Sequence, residues 1–200
     1  MDRYLSFEEL KQGEPPDSYI IHSQEGSSGV AILAPHGGGI EPGTLEIALG
    51  IAGTDHTFYA FEGQKPINNH DLHITSTNFN EPISKAIIEQ AERVLVIHGC
   101  AGTREVVYLG GLDNELKEHL GIQLAIAGFQ AEEPSSSELR GENPNNICNR
   151  GKNARGIQLE ISTGLRTLMF EDLSRRGRKL TTPAFDLFVS SIRKAISEVV

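Results

Sequence analysis

The segment GVAILAPHGGGIEPGTLEIALGIAG, residues 29–53, joins an apolar run to a helical pattern through a histidine, three glycines and a glutamate. VAILAP predicts a buried strand that Pro35 closes, and GTLEIALGIAG predicts a helix that ends near Gly53. A strand followed by a helix is the repeating unit of an α/β fold with a parallel sheet. Ligands of such sheets bind beyond the carboxyl ends of the strands, so His36 and Glu41 are the first candidate site residues.

The remainder of the chain continues this alternation of strands and helices. Further strands are predicted at residues 19–24, 56–63, 93–99, 106–111, 122–128 and 157–162. Further helices are predicted at residues 83–92, 112–121 and 183–200. We therefore expect one domain, residues 1–200, with an α/β fold: a three-layer sandwich around a largely parallel, mixed central sheet. The polar segment 130–156 is long for a connection inside a domain, which predicts a functional loop.

The composition excludes several classes of protein. The chain has 200 residues, of which 38% are hydrophobic, enough for one domain with a core. No basic amino-terminal segment precedes an apolar run, and no window approaches about 18 apolar residues, so we predict neither a signal peptide nor a membrane span. Cys100 and Cys148 are too few for a disulfide framework, which predicts free thiols in the cytoplasm, with one disulfide as the alternative.

The charge is unevenly distributed along the chain. The formal net charge of −9 argues against general nucleic-acid binding. Residues 1–149 carry 8 Lys/Arg and 22 Asp/Glu, a net −14, whereas residues 150–200 carry 10 and 5, a net +5. The basic carboxyl-terminal quarter could therefore meet an anionic ligand although the whole protein is acidic.

The HGGG motif at residues 36–39 has three chemical interpretations. An oxyanion loop would need a nucleophilic serine in a G-x-S-x-G motif, which this chain lacks. A phosphate-binding loop would need G-x-x-x-x-G-K-[ST] or G-x-G-x-x-G after a strand, and neither motif follows any predicted strand. Half of a metal site is the interpretation that residues elsewhere in the chain support.

A catalytic zinc commonly takes two histidines and one carboxylate and keeps one position open. His36 and Glu41 could share a metal because the glycines between them let the loop fold tightly, and His98 ends the predicted strand RVLVIHG. Glu160 is the one acid inside the apolar strand IQLEIS, where a charge is costly without a partner or a task, so we predict that it is the general base. Taken singly, each residue has a structural alternative: a core histidine, a solvated loop acid, or a carboxylate paired with arginine.

Four motifs in order, APHGGGIEPGT, LHITSTNFNEP, VIHGCAG and NNICNRG…GIQLEIS, resemble the phage-type poly-γ-glutamate hydrolase family over residues 15–195. The resemblance implies a carboxypeptidase A-like fold, a zinc cofactor and endo-acting hydrolysis of γ-glutamyl amide bonds in poly-γ-glutamate. It also implies the roles of four residues, because His36, Glu41, His98 and Glu160 follow the order of ligand, ligand, ligand and base in the wider superfamily. The wider superfamily spaces its first two ligands three residues apart rather than five, so Glu46 is a second candidate ligand.

The implied substrate is a polymer with a free α-carboxylate on every residue. Arginine binds a carboxylate through two hydrogen bonds, and Arg104, Arg150 and Arg166 are the predicted substrate-binding residues. The basic run Arg175, Arg176, Arg178 and Lys179 predicts a solvated loop, with steering of the polyanion as the alternative. We expect a monomer that binds neither nucleic acid nor membrane. Enzymes of this kind in phages would act outside the host after lysis, without a signal peptide.

Three other functions compete with this interpretation. A zinc deacylase of small N-acyl amino acids would use the same chemistry in a closed pocket. A non-catalytic binding protein for polyanions would use the arginines and keep zinc for structure. A cysteine amidase would use Cys100 as nucleophile beside His98.

Overall fold

A computed structural model describes residues 2–200 of the chain as a seven-stranded sheet with helices on both faces. The strands are β1 Tyr19–Gln24, β2 Val30–Gly38, β3 Thr57–Gly63, β4 Arg93–Cys100, β5 Val106–Gly111, β6 Gln130–Glu132 and β7 Ile157–Ser162. The α-helices are α1 Phe7–Gly13, α2 Thr44–Ala52, α3 Pro82–Gln90, α4 Asn114–Ile126, α5 Thr163–Met169 and α6 Pro183–Ser197. Short 3-10 turns occur between them, one of which spans Ile147–Arg150.

The strand order is β1-β3-β2-β4-β7-β5-β6. The pairs β2–β3, β2–β4, β4–β7 and β5–β6 are parallel, whereas β1–β3 and β5–β7 are antiparallel. The predicted largely parallel, mixed sheet is therefore confirmed. Because β2, β4 and β7 are adjacent and parallel, their carboxyl ends meet at one edge of the sheet.

Two apolar clusters lie on opposite faces of the sheet and make the fold a three-layer sandwich. One cluster packs α2, α4, α5 and α6 against the sheet, and the other packs α1 and α3 against its opposite face. Strand β2 supplies both clusters: Val30 and Ile32 face one, and Ala31 and Leu33 face the other. This alternation follows from the two-residue period of a strand, and the near-continuous apolar run follows from burial on both faces.

The predicted strand at residues 122–128 is wrong, because these residues largely belong to α4. Leu116, Leu120 and Leu124 recur every four residues and are fully buried, so one helical face extends through the predicted strand. The helix continues through Gly121, which lies inside α4. The strand that follows is the short β6.

Strand β2 also extends past Pro35, which was predicted to close it. The register against β3 shifts between Ala34 and Gly37, so Pro35 and His36 occupy a β-bulge. A bulge tolerates proline because a residue there need not donate to the ladder. The bulge places His36 inside the strand.

Among residues 2–200, no helix has both the length and the apolar character that crossing a bilayer requires.

Candidate functional site

Three of the predicted side chains converge at the carboxyl edge of the sheet. His36 lies in the bulge of β2, His98 lies near the end of β4, and Glu41 lies in the loop between β2 and α2. The two Nδ1 atoms are 3.1 Å apart, and Glu41 Oε1 is 3.0 Å from Nδ1 of His36. One ligand atom from each residue lies within 4.8 Å of the others, so the group could hold a metal ion.

The glycine-rich loop turns back on itself and thereby brings Glu41 to His36. The backbone N–H of Glu41 donates to the carbonyl of His36 at 2.9 Å. Gly38 has φ +67°, and a Cβ there would lie 2.6 Å from the carbonyl oxygen of Gly63. Glu41 Oε2 in turn accepts from the backbone N–H of Gly99 at 2.8 Å, which fixes the carboxylate against β4.

Each of the two histidines is oriented by a hydrogen bond of Nε2, the ring nitrogen that faces away from the cluster. Nε2 of His36 lies 2.9 Å from the carbonyl of Ile74 and must donate to it, so Nδ1 is the ring nitrogen that faces the cluster. Nε2 of His98 hydrogen-bonds with Oγ of Ser76 at 3.1 Å. Two Nδ1 atoms and a carboxylate that face one point need a shared cation or proton, and two nitrogens with one oxygen match the ligands of a catalytic zinc.

Burial and charge act in opposite directions on these groups. Burial raises the pKa of Glu41, but the charges and hydrogen bonds of His36 and His98 outweigh it and hold that pKa well below its usual range. Burial lowers the pKa of His98, but Glu41 and Glu160 outweigh it, and the net direction is upward. The cluster therefore favours an ionised carboxylate beside imidazole nitrogens.

Glu160 lies beside this cluster on β7, with its Cα opposite that of His98 in the parallel β4–β7 pair. The side chain is buried, and burial together with the charge of Glu41 raises its pKa to about 7. Its Oε1 accepts from Nε2 of Gln158 at 2.9 Å, and Gln158 accepts from Nδ2 of Asn146 at 2.8 Å. A carboxyl group with such a pKa can exchange a proton near neutral pH.

A cleft of about 670 Å³ contains both the cluster and Glu160. The long polar segment predicted as a functional loop forms one wall, to which it contributes Ser137, Glu138, Leu139, Gly141, Glu142, Asn143 and Asn146. Within the part of the chain that the structure describes, neither a lysine nor an arginine lines this cleft.

The three arginines predicted to bind substrate lie outside this lining. Arg166 is buried and donates to the carbonyls of Pro42, Cys100 and Ile161. Arg150 donates to the carbonyls of Phe79, Thr77 and Asn145. Arg104 is exposed and pairs with Glu132 at 2.6 Å. A role for any of them in substrate binding stays a prediction.

Glu46, the second candidate ligand, lies away from the cluster. It is on α2, where its Oε1 accepts from Nε of the buried Arg178 at 3.0 Å. The structure therefore brings Glu41, rather than Glu46, to the two histidines.

Asp2 and His73 line the cleft but were given no role from the sequence. Asp2 Oδ1 is 2.7 Å from Nδ1 of His73, and Oδ2 accepts from the backbone N–H of Thr75 at 2.6 Å. The His73 ring packs on His36 with ring centroids 4.0 Å apart. Two residues 71 positions apart carry no joint signal in the sequence, so this contact could be found only from the fold.

Both cysteines are free thiols. Burial raises the pKa of Cys100 to about 11 and that of Cys148 to about 12. A nucleophilic cysteine needs a lowered pKa, so this environment disfavours the cysteine amidase.

Comparison with known proteins adds family evidence to this geometry. The family model for poly-γ-glutamate hydrolase matches residues 4–191. The chain belongs to the poly-γ-glutamate hydrolase family. The resemblance carried by the four sequence motifs is thereby confirmed.

Individual members and relatives of the poly-γ-glutamate hydrolase family align with nearly the whole chain. The SPbeta prophage-derived UPF0714 protein YoqZ of Bacillus subtilis (strain 168) is 40% identical over 98% of this chain and 72% of its own length. The structure of a bacteriophage poly-γ-glutamate hydrolase superposes with a TM-score of 0.95 at 30% identity and covers 99% of this chain and 98% of that one. Zinc-free YndL superposes with a TM-score of 0.95 at 36% identity, with 100% of each chain covered.

Proposed function

We propose that this protein is a zinc-dependent hydrolase that cleaves γ-glutamyl amide bonds within poly-γ-glutamate. The observation that carries the proposal is the convergence of His36, Glu41 and His98 beside the buried Glu160 in one cleft, in a member of this family. Zinc as the metal is supported by the two-nitrogen, one-oxygen ligand set and by the similarity to YndL, whose structure is that of a zinc-free form.

In the proposed mechanism, His36, Glu41 and His98 would hold zinc, which when bound would supply a Lewis acid for the scissile carbonyl and lower the pKa of water. Glu160 accepts a proton from the attacking water and delivers it to the leaving nitrogen. Gln158 holds Oε1 of Glu160 and leaves Oε2 free of a side-chain partner among the described residues. One carboxyl group thus serves first as base and then as acid.

The exposed wall of the cleft supports attack inside a chain rather than at an end. Ser137, Glu138, Glu142 and Asn143 line the cleft and are themselves exposed, so the site opens to solvent along the long loop. A polymer can lie across such an opening, whereas a deacylase of small N-acyl amino acids would be expected to enclose its substrate. Of the three predicted substrate-binding arginines, Arg104 is the one whose exposure lets it exchange its present partner for a substrate carboxylate.

Metal analysis combined with chain-length analysis tests the proposal. We expect about one zinc per chain and a rapid fall in the mean length of poly-γ-glutamate, which chelator abolishes and zinc restores. Release of monomer alone would overturn the endo mode, and cleavage of small N-acyl amino acids without shortening of the polymer would favour the deacylase. Polymer binding without any cleavage by the zinc-loaded protein would identify a binding protein instead.

A further inference from the structure

The charges inside the cleft do not suit the proposed polyanionic substrate. Among residues 2–200, the charged side chains that line the cleft, apart from its histidines, are acidic: Asp2, Glu41, Glu138, Glu142 and Glu160. The whole chain carries a net charge of −9, which also repels a polymer with one carboxylate per residue. A long substrate therefore needs cations outside the cleft.

Several cations near this edge of the sheet are already neutralised. Arg3 pairs with Asp71 at 2.8 Å, and Lys65 pairs with Glu14 at 3.1 Å. Arg104, Arg150 and Arg166 hold Glu132 or backbone carbonyls, as described above. None of these five side chains therefore has a guanidinium or ammonium group that can bind a substrate carboxylate without first giving up its present partner.

The segment 171–180, which we call the basic loop, carries cations that are not neutralised in this way. Its four cations are Arg175, Arg176, Arg178 and Lys179, of which Arg178 is buried and the other three are exposed. Arg178 donates through Nε to Glu46 at 3.0 Å and through Nη1 to the carbonyl of Leu173 at 2.7 Å. One arginine thus anchors the loop, and no acidic side chain among the described residues forms an ion pair with the other three cations.

The basic loop is also closed internally, so its cations are held on a defined surface. Phe170 and Thr181 form an antiparallel bridge at its base, and the N–H of Glu171 donates to the carbonyl of Leu180 at 2.9 Å. At the tip, the N–H of Gly177 donates to Oγ of Ser174 at 3.0 Å. A preformed loop loses less conformational entropy when it binds a ligand than a disordered one does.

Two contacts place the basic loop at the edge where the cleft opens. Arg175 hydrogen-bonds to Gln64, which directly follows β3. The last residue of that strand, Gly63, accepts from the N–H of Gly39, which lies between His36 and Glu41 in the sequence. The other anchor, Glu46, lies in the first turn of α2, five residues after Glu41. The basic loop therefore borders the glycine-rich segment that carries two proposed ligands.

We propose that Arg175, Arg176 and Lys179 form an exosite that binds the α-carboxylates of poly-γ-glutamate outside the catalytic cleft. The inference rests on the proposed function and adds a chain-length preference to it. A polymer long enough to span both the cleft and the basic loop gains the exosite contacts, whereas a short oligomer in the cleft does not. Because all three cations are exposed, their attraction is screened by salt.

The triple variant Arg175→Gln, Arg176→Gln, Lys179→Gln tests this exosite in the zinc-loaded protein. We expect KM for long poly-γ-glutamate at low salt to rise about three- to tenfold with kcat unchanged. We expect kcat/KM for a short γ-glutamyl oligomer to stay within about twofold of wild type. Added salt should raise the wild-type KM for the long polymer and have less effect on the variant.

A matched control removes three exposed cations at the opposite edge of the sheet. Lys152 and Arg155 lie in the loop before β7, and Lys194 lies in the last turn of α6. The variant Lys152→Gln, Arg155→Gln, Lys194→Gln has the same net charge as the exosite variant and should keep the wild-type KM. Equal KM values for wild type and exosite variant on the long polymer would overturn the exosite, and so would equal increases in both variants. If wild type cleaves neither the polymer nor the oligomer, the proposed function itself fails.

Discussion

Glu160 lies directly opposite His98 in the parallel β4–β7 pair, and the two side chains reach the same face of the sheet. Parallel pairing fixes this relationship because residues in register share a face. The proposed base and a proposed ligand are thus held by strands rather than by loops. Strands position a reacting group more rigidly than loops do.

The substitution Glu160→Gln is expected to lower kcat on poly-γ-glutamate by about 10²- to 10⁴-fold, because the amide cannot accept the proton of water. Zinc content and melting temperature should stay close to wild type, since glutamine can still accept the hydrogen bond from Gln158. Steady-state kinetics and metal analysis measure both effects. Wild-type activity in the variant would refute the assignment of Glu160 as base.

The pair of variants Glu41→Gln and Glu46→Gln separates the two candidate carboxylate ligands. Zinc at about 100 times its dissociation constant should stabilise wild type by roughly 2.7 kcal/mol, which raises Tm by about 5–10 °C. We expect Glu41→Gln to lose most of this increase, because it removes an oxygen ligand from the cluster. Glu46→Gln should keep it, because Glu46 contacts Arg178 instead. Differential scanning fluorimetry with and without zinc gives the comparison, and loss of the increase in Glu46→Gln alone would reverse the assignment.

Gly38→Ala should lower the free energy of unfolding by more than about 2 kcal/mol, because a steric clash adds to the cost of the left-handed backbone. The new Cβ would lie 2.5 Å from Cγ of Glu62 and 2.6 Å from a backbone oxygen, at φ +67°. Gly128→Ala is the matched control, because Gly128 also has positive φ, +85°, but no atom lies within 4 Å of the Cβ position. Gly128→Ala should lower the free energy of unfolding only by the roughly 1–2 kcal/mol that the left-handed conformation costs a residue with a side chain. Chemical denaturation measures both, and equal losses would show that the close approach at Gly38 is unimportant.

His56 should make the fold less stable at acidic pH. Burial lowers the pKa of His56, the charge of Arg193 lowers it further, and Asp55 opposes this. As pH falls below about 6.5, the unfolded chain binds a proton that the folded chain resists, so this contribution to stability is full above 6.5 and is lost below it. His56→Asn retains an acceptor for Ser28, which hydrogen-bonds to Nδ1 at 2.7 Å. The fall in Tm between pH 7.5 and pH 5.5 should be smaller in the variant, and an equal fall would exclude His56 as its source.

The sequence predicts the elements with a long apolar pattern and misses those without one. Strands β2, β4 and β7 are apolar because both faces are buried, and their order along the chain indicates the α/β class. Helices α1 and α5 have only seven residues each, which is two turns, so their periodicity is too short to detect. Residues 122–128 alone have the composition of a strand, and only their continuity with Leu116 and Leu120 reveals the helix.

The residues of the candidate site likewise include some that the sequence indicates and others that only the fold reveals. His36 and His98 stand out because each is a polar residue at the end of an apolar run, Glu41 because it follows the three glycines, and Glu160 because it is the one acid inside an apolar strand. Arg150 and Arg166 cannot be assigned from the sequence, because they donate to backbone carbonyls, some of which lie far along the chain, such as that of Pro42, 124 residues from Arg166. Backbone carbonyls carry no sequence signal, so only the fold distinguishes an arginine that holds a loop from one that is free to bind a ligand.

The contact of Asp2 with His73 has a practical meaning for handling the protein. Because Asp2 lies in the cleft wall, any peptide fused ahead of it must emerge beside the catalytic opening. The far end of α6 is at the opposite edge of the sheet, where Arg193 contacts the carbonyl of Ile51. An affinity tag or a surface-immobilisation anchor that follows α6 therefore leaves the entrance free for a long polymer.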